Sequence, residues 1–164
     1  MTQATQDLIE ALREELQSYG EMLARLDQQQ EHVMRRAPDD VLQATAEIEI
    51  QSRAIAEARR VRSEKQRVVA LGLGLDADAA FQQIIPNLPA DFRPLLGALV
   101  QENNELLMRV HHRSRQNHVL LCRSLELMSR LLGSLLPGGG TVYTGKGDVL
   151  GSFGPARSTY QAVG

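Results

Sequence analysis

Aromatic residues make up only 4% of this 164-residue chain, and tryptophan is absent. A sheet sandwich or barrel leans on aromatic and β-branched side chains, whereas a chain rich in Leu, Ala and Gln with scattered charge is biased toward long helices. Cysteine is nearly missing as well. The lone Cys122 has no partner for an intramolecular disulfide and fits a reducing compartment. No apolar run approaches the roughly 20 residues needed to cross a bilayer. The stretch from Met1 to Asp7 is polar and lacks the apolar core of a signal peptide. Nor is there an excess of one charge: the formal net charge of −2 calls for neither nucleic acid nor a membrane surface. These absences predict a soluble, cytoplasmic, all-α protein with a modest core.

The apolar pattern that is present sorts into four pieces. Leu8, Leu12, Leu16, Tyr19, Leu23, Leu26 and Val33 recur at spacings of three and four, which predicts a helix over about 5–36. Gln30 stands in that series where an apolar residue is expected. Ala37-Pro38-Asp39-Asp40 breaks the pattern, with Asp39 or Asp40 available as a cap. A second helix is expected over about 40–71, ending at Gly72 and Gly74. Its stripe is thinner (Val41, Leu42, Thr45, Ile48, Ile55, Val68, Val69) and turns basic or polar between Arg59 and Arg67. In a hairpin, that basic end lies beside Asp7, Glu10, Glu14 and Glu15 at the start of the first helix. A connector follows, with a short helix expected over about 78–85 between turns marked by Pro86 and Pro89.

The third long helix is expected over about 91–136. At 1.5 Å per residue it measures roughly 65–70 Å, against roughly 48 Å for each of the others, so an antiparallel path leaves an overhang at its C-terminal end. Up to Asn117 it has one stripe (Leu96, Leu99, Leu106, Val110), interrupted by Asn103, Arg113 and Asn117. From Val119 onward it has two adjacent stripes. One is Leu120, Leu127 and Leu131; the other is Leu121, Leu125, Met128, Leu132 and Leu135. A helix apolar over so much of its circumference needs a cover: the other helices of the chain, a second copy of itself, or a different protein. The expected architecture is an elongated antiparallel three-helix bundle or coiled coil over 1–136, followed by a flexible tail over 137–164. That tail holds eight of the 13 glycines yet carries Val142, Tyr143, Val149, Leu150 and Phe153.

Several chemistries fail on inspection. Gly140-Thr-Val-Tyr-Thr-Gly145-Lys146 opens like a phosphate-binding loop, but Gly147 replaces the Ser or Thr that holds magnesium. His111, His118 and Cys122 share a helical face, but positions seven apart are about 10 Å apart, too far for one metal ion. His111-His112-Arg113-Ser114 only faintly suggests a histidine phosphotransfer site, because Val110 and Arg115 stand where small residues and a lysine belong. Arginines between Arg109 and Arg130 outnumber the single acid Glu126, but without interleaved aromatics they read as a solvated basic rim around an apolar groove. The sequence thus calls for no enzyme, cofactor or metal.

Two helices, a long helix with Asn117-His118-Val119-Leu120-Leu121, a Leu/Met-rich amphipathic end, and a Gly-rich tail with Thr141-Val142-Tyr143 occur here in that order. The layout resembles the FlgN family of flagellar type III export chaperones. The second helix is poorer in leucine than that family tends to be, and the tail runs longer after Tyr143. The resemblance implies a cytoplasmic chaperone that binds the C-terminal segments of hook-associated proteins of the FlgK and FlgL type. It implies client binding by Leu120, Leu121, Leu125, Met128, Leu131, Leu132 and Leu135, and docking on an export gate protein of the FlhA type through Val142 and Tyr143. A homodimeric coiled-coil scaffold is the alternative that the same stripe serves.

Overall fold

In a computed structural model, residues 2–135 and the backbone of two short strands in the C-terminal segment are described. The chain is an all-α bundle of α1 (Thr2–Met34), α2 (Pro38–Gly72), α3 (Phe81–Asn87) and α4 (Arg93–Leu135). Strands β1 (Val142–Tyr143) and β2 (Val149–Leu150) pair antiparallel. Apart from those strands, the tail expected over 137–164 lies outside the described residues, and so do the side chains of Val142 and Tyr143. The chain divides into two compact units, Met1–Leu121 and Cys122–Gly164.

The helix ends follow backbone chemistry more than side-chain caps. α1 closes with Ala37 N–H on His32 O and Arg36 N–H on Val33 O, and Arg36 takes a left-handed φ of 57°. α2 closes the same way, through Leu75 N–H on Ala70 O and Gly74 N–H on Leu71 O, with Gly74 at φ 74°. Both are Schellman closures, in which one left-handed residue lets the chain satisfy the last carbonyls. At the start of α2 the expected aspartate cap does not form. Ala37 is the N-cap, Pro38 opens the helix, and Asp39 and Asp40 fall inside the first turn. There they favour the positive end of the helix dipole instead. α3 begins at Phe81, three residues later than expected, because Ala80 N–H is taken by the Gln83 side chain. Pro86 falls in the last turn of α3, where its missing N–H costs a single hydrogen bond. α4 runs unbroken through Gly97.

The apolar core gathers at one end of the bundle. Leu8, Ile9 and Leu12 of α1 pack with Val69 and Ala70 of α2, Ala79, Ile84 and Leu88 of the connector, and Leu96 and Leu99 of α4. Elsewhere the seams mix apolar positions (Met22, Leu26, Ala44) with polar ones (Gln29, Gln51, Asn117). α1 and α2 run antiparallel and approach closely, with the small Ala11, Ala44 and Ala70 buried. Leu42 and Val68, expected on the inner stripe of α2, are 70% and 55% exposed. The seam instead uses Ala44 and Gln51, whose amide donates to Ser18 O at 3.0 Å. An alanine seam brings two helices closer than leucines allow and leaves the larger neighbours outside it.

The basic end of α2 does find partners on α1. Arg62 Nε donates to Glu15 Oε2 at 2.8 Å, and Lys65 Nζ donates to Asp7 at 3.2 Å. Glu15 is almost fully buried, and Tyr19 Oη donates to its other oxygen at 2.8 Å. Arg62 also reaches Gln66 and lies 5.9 Å from the Phe81 ring centre, tying the connector to both helices. A buried carboxylate survives only when its lone pairs are filled in this way.

α4 runs parallel to α1 in a fixed register. Asn103 Nδ2 donates to Leu12 O at 3.0 Å, and Asn117 Nδ2 donates to Leu26 O at 2.7 Å. Both pairs are 91 residues apart in sequence, so the register holds across two heptads. Between them Arg113 meets Asp27 Oδ1 and Gln30 Oε1, each at 2.6 Å. The three residues that interrupt the α4 stripe are therefore the ones that read α1, and Gln30, the interruption on α1, is one of their targets. The cost is visible: both asparagine Oδ1 atoms are buried without a hydrogen-bond partner.

Two predictions follow from these polar contacts. Burial, and then the hydrogen bond to Glu15, pushes the Tyr19 phenol up to about 12. The folded chain thus holds that proton more tightly than the unfolded chain does. The resulting stability is complete below pH 10 and declines toward pH 12, by about 2 kcal/mol. Urea denaturation across that range will show a shallower decline for Tyr19→Phe than for the native chain. The second concerns the asparagines, which trade stability for register. Replacing Asn103 and Asn117 together by leucine will raise urea stability by about 1 kcal/mol, since two unsatisfied buried acceptors vanish while one, Gln29 Oε1, loses its donor. A loss of stability would mean the asparagines contribute net binding between α1 and α4.

Candidate functional site on the C-terminal stretch of α4

α4 changes character at Asn117, its last buried residue. Before that point Leu96, Leu99 and Asn103 are buried and Leu106, Leu107 and Val110 half-buried. After it Leu120 and Leu121 are half-buried. Leu125, Met128, Leu131, Leu132 and Leu135 are then 64, 57, 62, 58 and 74% exposed. Leu127, which the sequence pattern set on the same stripe as Leu131, is 60% exposed and joins the set.

At 100° per residue Leu121, Leu125, Met128, Leu132 and Leu135 form one face and Leu120, Leu127 and Leu131 the next, together about 160° of the circumference. From Leu121 to Leu135 this surface is about 21 Å long. The opposite side carries Arg123, Glu126, Ser129 and Arg130, and Arg130 pairs with Glu126 one turn away. Nothing in this arrangement resembles a reaction centre. It offers a continuous apolar ridge, flexible at Met128, with charge confined to its back.

The helix continues because its backbone bonds are internal and because leucine, arginine and methionine are good helix formers. Gly133 interrupts that propensity within the exposed stretch, and a β-carbon there would meet nothing within 4 Å. An exposed apolar ridge of this size on a helix marks a surface for another apolar element.

The other sequence candidates are placed as follows. Asn117, the first residue of the Asn-His-Val-Leu-Leu motif, is a register contact to Leu26 O and Gln29 Oε1. His111 and Cys122 are exposed, and no group of three metal-ligating side chains stands together among the described residues. No helix among the described residues is long and apolar enough to cross a membrane. The signal missed in the sequence was the meaning of the stripe interruptions, which mark where α4 is anchored and hence where its anchoring ends.

Comparison with known proteins supplies the family. Searches of curated proteins and of solved structures gave no match. A family model described as FlgN protein matches residues 1–150, a span that includes all four helices, the apolar ridge and both short strands. With 150 of 164 residues matched, the chain belongs to the FlgN family of flagellar export chaperones.

Proposed function

We propose that this protein is a cytoplasmic, non-enzymatic chaperone that binds the C-terminal segments of hook-associated proteins of the FlgK and FlgL type. In this role it keeps them from assembling early and delivers them to the flagellar export gate. The observation that supports this reading best is the exposed ridge of Leu125, Met128, Leu131, Leu132 and Leu135 on α4. An amphipathic client segment would lie along that ridge in a helix-on-helix contact, with Leu120 and Leu121 at its proximal end. Each leucine fully covered contributes roughly 1.5–3 kcal/mol before ordering costs, so four or five covered residues suffice for micromolar binding. Val142 and Tyr143, on β1, are the proposed docking element for a gate protein of the FlhA type.

The first test is calorimetric titration with a synthetic C-terminal segment of a hook-associated protein. Leu125→Glu will abolish binding while helicity by circular dichroism stays nearly unchanged, because residue 125 is already solvent-exposed. A wide loss of helicity would make Leu125 a core residue and end this reading. A protein that sediments as a tight dimer and ignores the client segment would replace it with a coiled-coil scaffold. For the division of labour, Tyr143→Ala will leave client affinity within about twofold and abolish co-precipitation with the cytoplasmic domain of the gate protein. Equal weakening of both would contradict separate sites.

A further inference from the structure

Residues 122–135 of α4 contain three charged side chains, Arg123, Glu126 and Arg130. Arg130 is taken by Glu126, at 2.5 Å one turn away. Arg123 is exposed and makes no ion pair or hydrogen bond among the described residues. One uncompensated cation therefore stands beside the ridge of Leu125, Leu127, Met128, Leu131, Leu132 and Leu135, all of them exposed.

Its place around the helix matters as much as its charge. At 100° per residue the ridge runs from Leu127 at one border to Leu125 at the other. Arg123 stands about 40° outside the Leu127 border, one turn before that residue, and Arg130 about 60° outside it. Beyond the Leu125 border stand Ser129 at about 40° and Cys122 at about 60°, neither of them basic. The ridge thus has one cationic edge and one non-basic edge.

Two amphipathic helices laid face to face also meet edge to edge. Turning one of them end for end on the contact exchanges its edges. A partner helix with acid along one edge meets Arg123 in one direction of docking and Ser129 in the other. The arginine stem extends the apolar surface beside Leu127 while its head stays at the rim. There a covering helix removes part of the surrounding water, which strengthens an ion pair relative to open surface. An anionic bilayer meets both edges of an interfacial helix alike, so a single cation on one edge fits a peptide better than a lipid surface.

We propose that Arg123 is a specificity-determining residue of the ridge. It selects client segments with Asp or Glu along one edge of their apolar face, and it fixes the direction in which they lie. This rests on the chaperone function proposed above and names the chemistry of its client. The acid belongs near the end of the client that covers Leu125 and Leu127, since residues 131–135 carry no charge. A client with a basic edge is disfavoured in the same stroke.

Calorimetric titration of the full-length protein with three synthetic amphipathic helices tests this. Each has about 18 residues, enough to cover the ridge, with one shared leucine face and either glutamate, glutamine or lysine along one edge. The glutamate helix is expected to bind about fivefold more tightly than the glutamine helix, and the lysine helix about fivefold more weakly. Arg123→Gln will level the three affinities and Arg123→Glu will invert their order, with helicity by circular dichroism unchanged because residue 123 is exposed. A spin label on the N-terminus of the glutamate helix will broaden amides at one end of the 125–135 stretch only. Moving the glutamates to the opposite edge will switch that end. Equal affinities for the three helices, or broadening at both ends, would overturn the proposal and leave the ridge as a binding surface. If the synthetic hook-associated segment binds with an affinity indifferent to Arg123→Glu, the proposal fails while the chaperone reading stands. If neither that segment nor any of the helices binds, both fail.

Discussion

The register between α1 and α4 is the constraint on which the rest depends. Two buried asparagines, Asn103 and Asn117, each reach the backbone carbonyl 91 residues earlier, at Leu12 and Leu26. An apolar stripe alone lets one helix slide along another by a turn at little cost, because one leucine replaces another. A buried amide resists sliding, because a shifted register costs Asn103 its bond to Leu12 O and Asn117 its bonds to Leu26 O and Gln29 Oε1. Arg113 adds a charged contact to Asp27 within the same span. By fixing where α4 is held, these contacts also fix where its burial ends and how many leucines remain exposed beyond Asn117.

The interior is divided to match. At the end where α1 begins and α2 finishes, aliphatic residues close a conventional core with the connector and the start of α4. Toward the α1–α2 turn the polar Gln29, Gln51 and Asn117 are buried beside Met22, Leu26 and Ala44, with side-chain bonds such as Gln29 to Thr45 at 2.9 Å. The layer between them is the Tyr19, Glu15 and Arg62 network. Burial of such groups is weak evidence of stability; what it adds is direction, since Gln51 reaches Ser18 O and Glu21, and Glu15 reaches Tyr19 and Arg62. Aliphatic burial is thus concentrated at one end, whereas the aligning asparagines stand along the bundle, Asn103 at Leu12 and Asn117 at Leu26.

Much of this was legible in the sequence, and what was not has physical reasons. The periodicity of α1 and α4 is strong because each has a wide apolar stripe, and their extents were readable to within a few residues. The α2 stripe misled at Leu42 and Val68, because the close α1–α2 approach selects small residues and glutamine rather than the bulkiest apolar ones. The basic run from Arg59 to Arg67 was readable as complementary to the acidic start of α1. That Glu15 is its buried partner required the antiparallel register. The doubled stripe after Val119 was visible in the sequence, but a doubled stripe alone marks a core as readily as a binding surface; the structure leaves Leu125, Met128, Leu131, Leu132 and Leu135 exposed within this chain. Asn103, Arg113 and Asn117 read as faults in a pattern until α1 was placed beside them.

The proposed function makes the end of α4 the binding surface for the client segment. Hydrogen exchange followed residue by residue, with and without a saturating C-terminal segment of a hook-associated protein, tests it most directly. Slowed exchange is expected, confined to α4 beyond Asn117, with the amides around Leu8, Leu12, Val69 and Leu96 unchanged. Protection that instead appears in α1 and α2, with the end of α4 exchanging as fast as before, would contradict it.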